Sequence, residues 1–414
     1  MNDQKMEFPD MQERFFSYVK IDTQSSDSNP EFPSTAKQMN LLKKLKGDLE
    51  ILGLEEIELT KWGYVLGTLK TNQQGKMPTI ALIAHVDTSP DVSGENVNPL
   101  VHPQYDGKDI VLPKDGVIIK VDENPYLKEK KGKTIITTDG STLLGADDKA
   151  GAAEILCAIK YLAVHPEIPR PNIRVLFTPD EEVGRGTEHI TAEEIKADYG
   201  YTVDGEKLGE IEDETFCADS VDIVITGVNI HPGYAKNKMV NSVKIAAEII
   251  DQFHKDRMSP ETTEKREGYI HPHQISGNVE STTIKILIRD FDESGLKEKE
   301  DYIKNIVDKI APSYPKAKID FKVITSYRNM KYILDKHPQV IDKAVKAIEA
   351  AGIDPIKNII RGGTDGARLS FMGLPTPNLF TGGSNVHSRQ EWIALEDMQK
   401  ASEVIVHLMQ LWTH

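Results

Sequence analysis

Cysteine is nearly missing: Cys157 and Cys217 are the two present in 414 residues. That is too few for a disulfide framework, so a reducing compartment is expected. Cys157 lies in an apolar helical run from Ala150 to Leu162, where a small buried thiol is the ordinary reading. No apolar stretch reaches the ~20 residues that a helix needs to cross a bilayer, and no membrane association is expected. The opening Met-Asn-Asp-Gln-Lys-Met-Glu lacks the apolar core of a secretory leader, so a cytoplasmic location is expected. Positive charge is short as well. The formal net charge is −15, whereas nucleic-acid binders concentrate Lys and Arg, and this argues against a polyanionic partner.

What is present reads as a globular α/β chain. The length exceeds what one hydrophobic core usually supports, so two domains are expected. Ser34 is placed to cap a helix with the stripe Met39, Leu42, Leu45, Leu49 and Leu52, ended by Gly53. A strand from Thr79 to Ala84 runs into His85-Val86-Asp87. The stretch from about Ser89 to Lys133 is rich in Pro, Gly, Asn and Asp and reads as long irregular connections. Its charged run Lys128-Glu129-Lys130-Lys131 reads as a solvated loop. Helix 150–164 follows, then strand Ile173 to Thr178 ending at Pro179-Asp180-Glu181-Glu182. A further strand, Tyr199 to Val203, ends at Asp204-Gly205. This alternation predicts a mostly parallel sheet with helices on its faces.

From about Phe216 the pattern changes to strand, helix, strand, strand, helix, strand, the ferredoxin-like order. The pieces are Val221 to Thr226, helix 240–254, a strand pair ending at Thr282 to Ile288, helix 296–311, and Ile319 to Ile324. Helices and Gly-rich turns return after Arg328, closing with helix 395–411. The organisation expected is a catalytic domain of residues 1–215 and 329–414, interrupted by an α+β domain of residues 216–328.

Several distant segments share one grammar: an apolar strand stops and a metal-ligand residue follows at once. In open parallel sheets, ligands bind beyond the strand C-termini, so such residues converge. The candidates are His85 and Asp87, Asp147, Glu181 and Glu182, Asp204, and His387 after the Gly382-Gly383-Ser384-Asn385 turn. Taken singly, each has a plain alternative. Asp147-Asp148 precedes a helix and could simply cap it. Glu181-Glu182 could be a solvated turn, and Asp204-Gly205 is a common turn pair. Together, two imidazoles and several carboxylates form a ligand set for two zinc-like ions. Crowded carboxylates would otherwise repel one another severely. His271-Pro272-His273 looks like a metal pair but sits among turn residues. Gly362-Gly363-Thr364-Asp365-Gly366 lacks the lysine and spacing of a phosphate-binding loop.

The runs Ala84-His85-Val86-Asp87-Thr88, Leu143 to Gly151 (Leu-Leu-Gly-Ala-Asp-Asp-Lys-Ala-Gly), Thr178 to Gly184 (Thr-Pro-Asp-Glu-Glu-Val-Gly) and Tyr201-Thr202-Val203-Asp204-Gly205 occur in that order. This set resembles the metal motifs of the dinuclear zinc exopeptidase and deacylase family. Glu267-Gly268-Tyr269-Ile270-His271, Ile288-Arg289-Asp290-Phe291-Asp292, Ile360 to Ala367 and Leu379 to His387 extend the resemblance over essentially the whole chain, toward the tripeptide-aminopeptidase members. It implies two divalent ions per subunit, as Zn2+: one on His85 and Asp204, the other on Glu182 and His387, with Asp147 bridging. It also implies a cis peptide between Asp147 and Asp148. Asp87 would orient His85, a role that suits the i, i+2 spacing of an extended chain. Glu181 would be the general base toward a metal-bridging water, and His231 an added oxyanion donor. Arg289, Arg361 and Asn241 are the candidates for gripping the substrate C-terminal carboxylate. The interrupting domain would act as a lid and a possible homodimer surface. The expected activity is removal of the N-terminal residue from tripeptides. The alternatives are a carboxypeptidase or N-acyl-amino-acid deacylase of the same family, and a non-catalytic metal-dependent peptide-binding protein.

Overall fold

The structure is a computed structural model and describes residues 6–414. The reading of the opening residues as leader-free falls largely on residues 1–5, outside the described residues. Two compact units are present. The larger takes the chain up to Asp213 together with Met330–Asn358 and Thr364–His414; the smaller takes Glu214–Asn329 and Ile359–Gly363. Assignment of Ile359–Gly363 to the smaller unit differs from the sequence boundary, and Arg361 supplies the reason. Its guanidinium donates to the carbonyls of Lys265, Glu267 and Thr263 and lies over the rings of Phe216 and Tyr269.

The larger unit begins α1 (Met11–Val19), α2 (Gln38–Ile51), β1 (Glu55–Leu59), β2 (Val65–Leu69) and β3 (Ile80–His85). It continues through α3 (Ala146–Val164), β4 (Ile173–Thr178), β5 (Tyr199–Gly205) and β6 (Glu210–Thr215). The smaller unit holds β7 (Cys217–Thr226), α4 (Ser242–Asp251), β8 (Tyr269–Gly277), β9 (Ser281–Asp290), α5 (Glu293–Ile310) and β10 (Lys318–Tyr327). The chain closes with α6 (Pro338–Ala350), β11 (Ile356–Ile360), α7 (Asp365–Phe371), β12 (Asn378–Phe380) and α8 (Leu395–Leu411).

Eight strands form the main sheet in the order β1-β2-β4-β3-β5-β12-β6-β11. Pairing is parallel through β4, β3, β5 and β12 and antiparallel for β1-β2, β2-β4 and β12-β6, so the sheet is mixed, with a parallel centre. Composition explains the split. The apolar runs of β3 and β4 are buried at every position, as strands covered on both faces require. At the edge, the glutamates of β1 point to solvent. Helix α3 packs so closely on β5 that a Cβ on Gly151 would stand 1.9 Å from the Val203 carbonyl oxygen. Only glycine fits there.

Three local expectations are corrected. Ser34 does not cap α2, which starts at Gln38; its backbone N–H and hydroxyl both donate to the buried Asp180 carboxylate instead. Asp204-Gly205 is not a turn but the end of β5. The stretch from Ser89 to Lys133 is not simply irregular. Leu100–His102 pairs with Ile135–Thr137, which pairs with Trp392–Ala394 and through it Gly383–Ser384, a second small sheet. Tyr105, Ile110, Leu112, Ile119, Leu127 and Trp392 give it a core of its own. Lys130 is therefore not solvated: it is buried, with Nζ 2.5 Å from the Asp397 carboxylate and 4.0 Å from the Tyr126 ring centre.

In the smaller unit the four strands run in the antiparallel order β8-β9-β7-β10, the ferredoxin-like arrangement. Along β7, Val221, Ile223 and Ile225 are buried and alternate with partly exposed residues. Ile245 and Ile249 of α4 and Leu296, Ile303 and Val307 of α5 are buried in the same unit.

Candidate metal centre

The chain's local physics delivers each candidate side chain to the C-terminal ends of neighbouring parallel strands. His85 is the last residue of β3, Asp204 is the penultimate residue of β5, and Glu181-Glu182 follow β4 after Pro179-Asp180. Asp147 sits on the turn into α3. Helical backbone angles begin only after Asp148, and the Asp147-Asp148 peptide is cis. The paired aspartates divide the work. One oxygen of Asp148 accepts from the Gly151 N–H, capping α3, and the other accepts from the His85 N–H. Asp147 instead faces both imidazoles: Oδ1 is 2.9 Å from His85 Nε2 and Oδ2 is 3.2 Å from His387 Nε2. Asp204 Oδ1 is 3.5 Å from His85 Nε2, and Glu182 Oε2 is 2.8 Å from His387 Nε2. The ligand-capable atoms of His85, Asp147 and Glu182 all lie within 4.8 Å of one another, as do those of His85, Asp148 and Asp204.

Asp87 organises this set from below. Its carboxylate accepts from the backbone N–H groups of Glu181 and Glu182 at 3.0 and 3.2 Å, and Oδ1 is 3.3 Å from His85 Nδ1. With the proton on Nδ1, Nε2 of His85 presents its lone pair to Asp147 and Asp204, the tautomer a metal ligand needs.

The electrostatics say that this cluster is short of positive charge. Burial pushes Glu182 up to about 8, with the Asp147 charge adding to it. Burial likewise lifts Asp204 to about 6 and Asp365 to about 7. Burial, and then the charges of Asp204, Asp365 and Glu182, hold Glu181 well above the ordinary carboxylate range. His387 is raised to about 11 by its contacts with Asp147 and Glu182. Burial alone would depress His85, but Asp204, Asp147 and Asp87 lift it well above its usual value. Glu182 Oε1 is buried without a hydrogen-bond partner. Divalent cations answer both features: they neutralise the carboxylates and take up the orphaned oxygen, and a His/Asp/Glu donor set suits zinc-like ions.

Other residues of this site carry no local signal. Asn378 on β12 accepts from the Asp204 N–H and donates to the buried Glu212. Asp365, at the start of α7, accepts from Thr178 Oγ1 at 2.8 Å, and its carboxylate fills the space a Cβ on Gly186 would need. Asp91 Oδ2 is 3.5 Å from His387 Nδ1, on an exposed loop. Glu391, four positions after His387, is buried and accepts from the N–H groups of Leu144, Gly145 and Asp147.

The remaining candidates belong to the smaller unit. Exposed His231 accepts from the Gly233 N–H through Nδ1. Asn241 caps α4, its Oδ1 accepting from the Val243 N–H. Arg289 donates from Nη1 to two carbonyls, of Ile288 and Asp219, and lies over the Tyr327 ring. Both terminal nitrogens of Arg361 are engaged by the 263–267 carbonyls. The His271 and His273 rings, 6.1 Å apart, join no group of three metal-capable side chains among the described residues.

A strand-end cluster of this composition on a mixed α/β sheet is the architecture of a metal-dependent hydrolase. The model of peptidase family M20/M25/M40 matches residues 137–411, and the chain belongs to that family. It is 47% identical over 406 residues to Peptidase T of Clostridium botulinum (strain Loch Maree / Type A3), covering 98% of this chain and 99% of that one. It is also 47% identical over 401 residues to Peptidase T of Caldanaerobacter subterraneus subsp. tengcongensis, covering 97% and 98%. Among solved structures, aminopeptidase PepT from Bacillus cereus ATCC 10987 superposes with a TM-score of 0.75 at 25% identity, covering 99% of this chain and 100% of that one. The Bacillus subtilis YXEP protein, described as a dinuclear metal binding peptidase, shares the fold with a TM-score of 0.65 at 13% identity, covering 97% of each.

Proposed function

We propose that the chain is a tripeptide aminopeptidase that hydrolyses the first peptide bond of free tripeptides. The observation that carries this reading is the meeting of His85, Asp147, Glu182, Asp204 and His387 in one cluster, with Glu181 beside them on the turn that Asp87 holds. The family and the Peptidase T relatives support the same activity. In this reading His85 and Asp204 would hold one zinc ion and Glu182 and His387 the other, and Asp147 would serve both.

Such ions supply Lewis acidity toward the scissile carbonyl and toward a nearby water, which lets amide hydrolysis run near neutral pH. The chain's own residues do the rest. Glu181 takes a proton from the attacking water and delivers it to the departing amine, a task suited to a carboxylate that burial holds above the ordinary carboxylate range. Asp87 fixes the turn of Glu181 and Glu182 and the tautomer of His85 in one stroke. His231 is assigned as a further oxyanion donor on the family resemblance, and its removal should lower kcat far more than metal content. Arg289 is the leading grip for the substrate carboxylate, because among the described residues its hydrogen bonds leave from Nη1, to the Asp219 and Ile288 carbonyls. Asn241 retains its amide donors, while Arg361 would have to release the 263–267 carbonyls to join them. Homodimerisation through the smaller unit belongs to the same reading. Both edge strands, β8 and β10, carry runs of exposed residues.

The test is incubation of chelated protein with a free tripeptide, with and without restored zinc, and identification of products by mass spectrometry. Release of the N-terminal residue only in the restored sample supports the proposal. Cleavage confined to N-acetylated peptides, or release of the C-terminal residue, would refute it.

A further inference from the structure

Glu391 adds a side-chain link between two segments that the second small sheet already brings near one another, through the pairing of Trp392–Ala394 with Ile135–Thr137. It closes the turn that carries His387, a turn knit by Ser388 Oγ donating to the Asn385 carbonyl and by the Glu391 N–H donating to the Ser388 carbonyl. Asn385 and His387 within it adopt positive φ, at 54° and 59°, so the backbone is held in a conformation that L residues seldom choose. From the end of that turn the Glu391 side chain reaches the other wall of the metal centre. Oε2 accepts from the N–H groups of Leu144 and Gly145 at 2.6 and 2.8 Å, and Oε1 accepts from the Asp147 N–H at 3.2 Å. The side chain is buried, and its oxygens are hydrogen-bonded by backbone donors, with the buried Lys149 ammonium interacting with its charge from beyond hydrogen-bond contact.

A carboxylate in this position is an expensive choice for a purely architectural link, because burying it has a desolvation cost that a neutral group would avoid. Its advantage is that both oxygens accept and neither donates, which three converging N–H groups demand. We infer that Glu391 is a positioning residue of the metal centre: it sets the distance between the bridging Asp147 and His387. The inference rests on the functional reading above, since it assumes that these two side chains share ions.

The amide of Glu391→Gln has the same shape, but one of its arms donates. Whichever way it turns, it opposes an N–H donor, either at Asp147 or at the Leu144-Gly145 pair. Loss of such outer support to metal ligands characteristically weakens metal affinity about ten- to a hundredfold. Zinc affinity is to be measured for the metal-free parent, Glu391→Gln and Glu391→Asp by competition with a chromogenic chelator. The visible spectrum of each cobalt-loaded protein and the melting temperature of each metal-free form complete the set. The expected result is a Glu391→Gln protein whose metal-free form melts close to the parent, with zinc affinity lowered roughly ten- to a hundredfold and a changed cobalt spectrum. Glu391→Asp, which keeps the charge but shortens the reach, should show the same weakening, and it decides the matter if the glutamine variant does not fold. Variants that bind zinc within about threefold of the parent, with superimposable cobalt spectra, would overturn the inference. A parent protein that binds no zinc would instead overturn the functional reading on which it stands.

Discussion

Replacing Gly151 by alanine is a one-carbon change that reaches the metal centre through the core. Gly151 lies in the first turn of α3, where the added Cβ would stand 1.9 Å from the Val203 carbonyl oxygen and 2.4 Å from Asp148 Oδ1. Side-chain carbons do not approach so closely, so α3 or β5 must move by about an ångström or more. Neither is free to do so, because both are packed in the buried centre of the larger unit. Overpacking of this kind costs about 1–3 kcal/mol, and a backbone clash belongs at the upper end. Against it stands the helix preference of alanine over glycine, worth at most ~1 kcal/mol. The net loss is then about 2 kcal/mol, a fall in melting temperature of roughly 3 °C for a domain of this size. Because Val203 immediately precedes Asp204, and Asp148 also holds the His85 N–H, the same displacement should weaken metal binding. Thermal unfolding of the metal-free protein and a zinc competition titration read the two effects separately. An alanine variant as stable as the parent, with unchanged zinc affinity, would show that the tight α3–β5 contact is not what places Asp204.

Glu181→Ala should lower kcat by about 10²–10⁴-fold with metal content nearly intact, whereas Asp147→Ala should lose metal along with activity; metal analysis beside steady-state kinetics separates them. Asp87→Ala leaves the Glu181 and Glu182 N–H groups without their acceptor, at about 1–3 kcal/mol each, and should depress both stability and turnover, measured by urea unfolding and tripeptide hydrolysis. Lys130→Met strands the buried Asp397 carboxylate and should destabilise by about 3–5 kcal/mol. Adding Asp397→Asn should return part of that loss, and a double-mutant cycle with no coupling would refute the ion pair's role. Tripeptides amidated at the C-terminus should show a sharply raised KM, and indifference to amidation would remove Arg289 from substrate binding.

The parts of this molecule legible in its sequence are those where chemistry follows directly on an apolar run. β3, β4 and β5 are short continuous hydrophobic stretches, and each ends in a residue that could bind metal, so the strands and half of the cluster could be read together. The ferredoxin-like unit was legible because its strands alternate and its helices carry clean apolar stripes. What escaped reading acts through backbone groups at long range. Glu391, Asn378 and Asp365 bond N–H groups or hydroxyls far away in the chain, and no pattern around them differs from that of a surface carboxylate or amide. Lys130 escaped for a related reason: a run of charges looks solvated until its partner, Asp397, is brought to it by the second small sheet. The sheet's antiparallel flanks were also hidden, since β1 and β6 are too short and too mixed to declare a direction.

The proposed ligand set begins at His85 and ends at His387, on either side of the smaller unit. A ribosome therefore makes four of the five ligands, then the whole of that unit, before the last imidazole and its Glu391 brace exist. A chain cut short between residues 182 and 387 holds Glu181, the proposed general base, but cannot close the cluster around it. On the proposed assignment, hydrolytic capacity waits for the segment that carries His387. By the same connection, metal bound across the closed cluster favours the fully folded larger unit over any partly unravelled form, because loosening either end of the sequence releases a ligand.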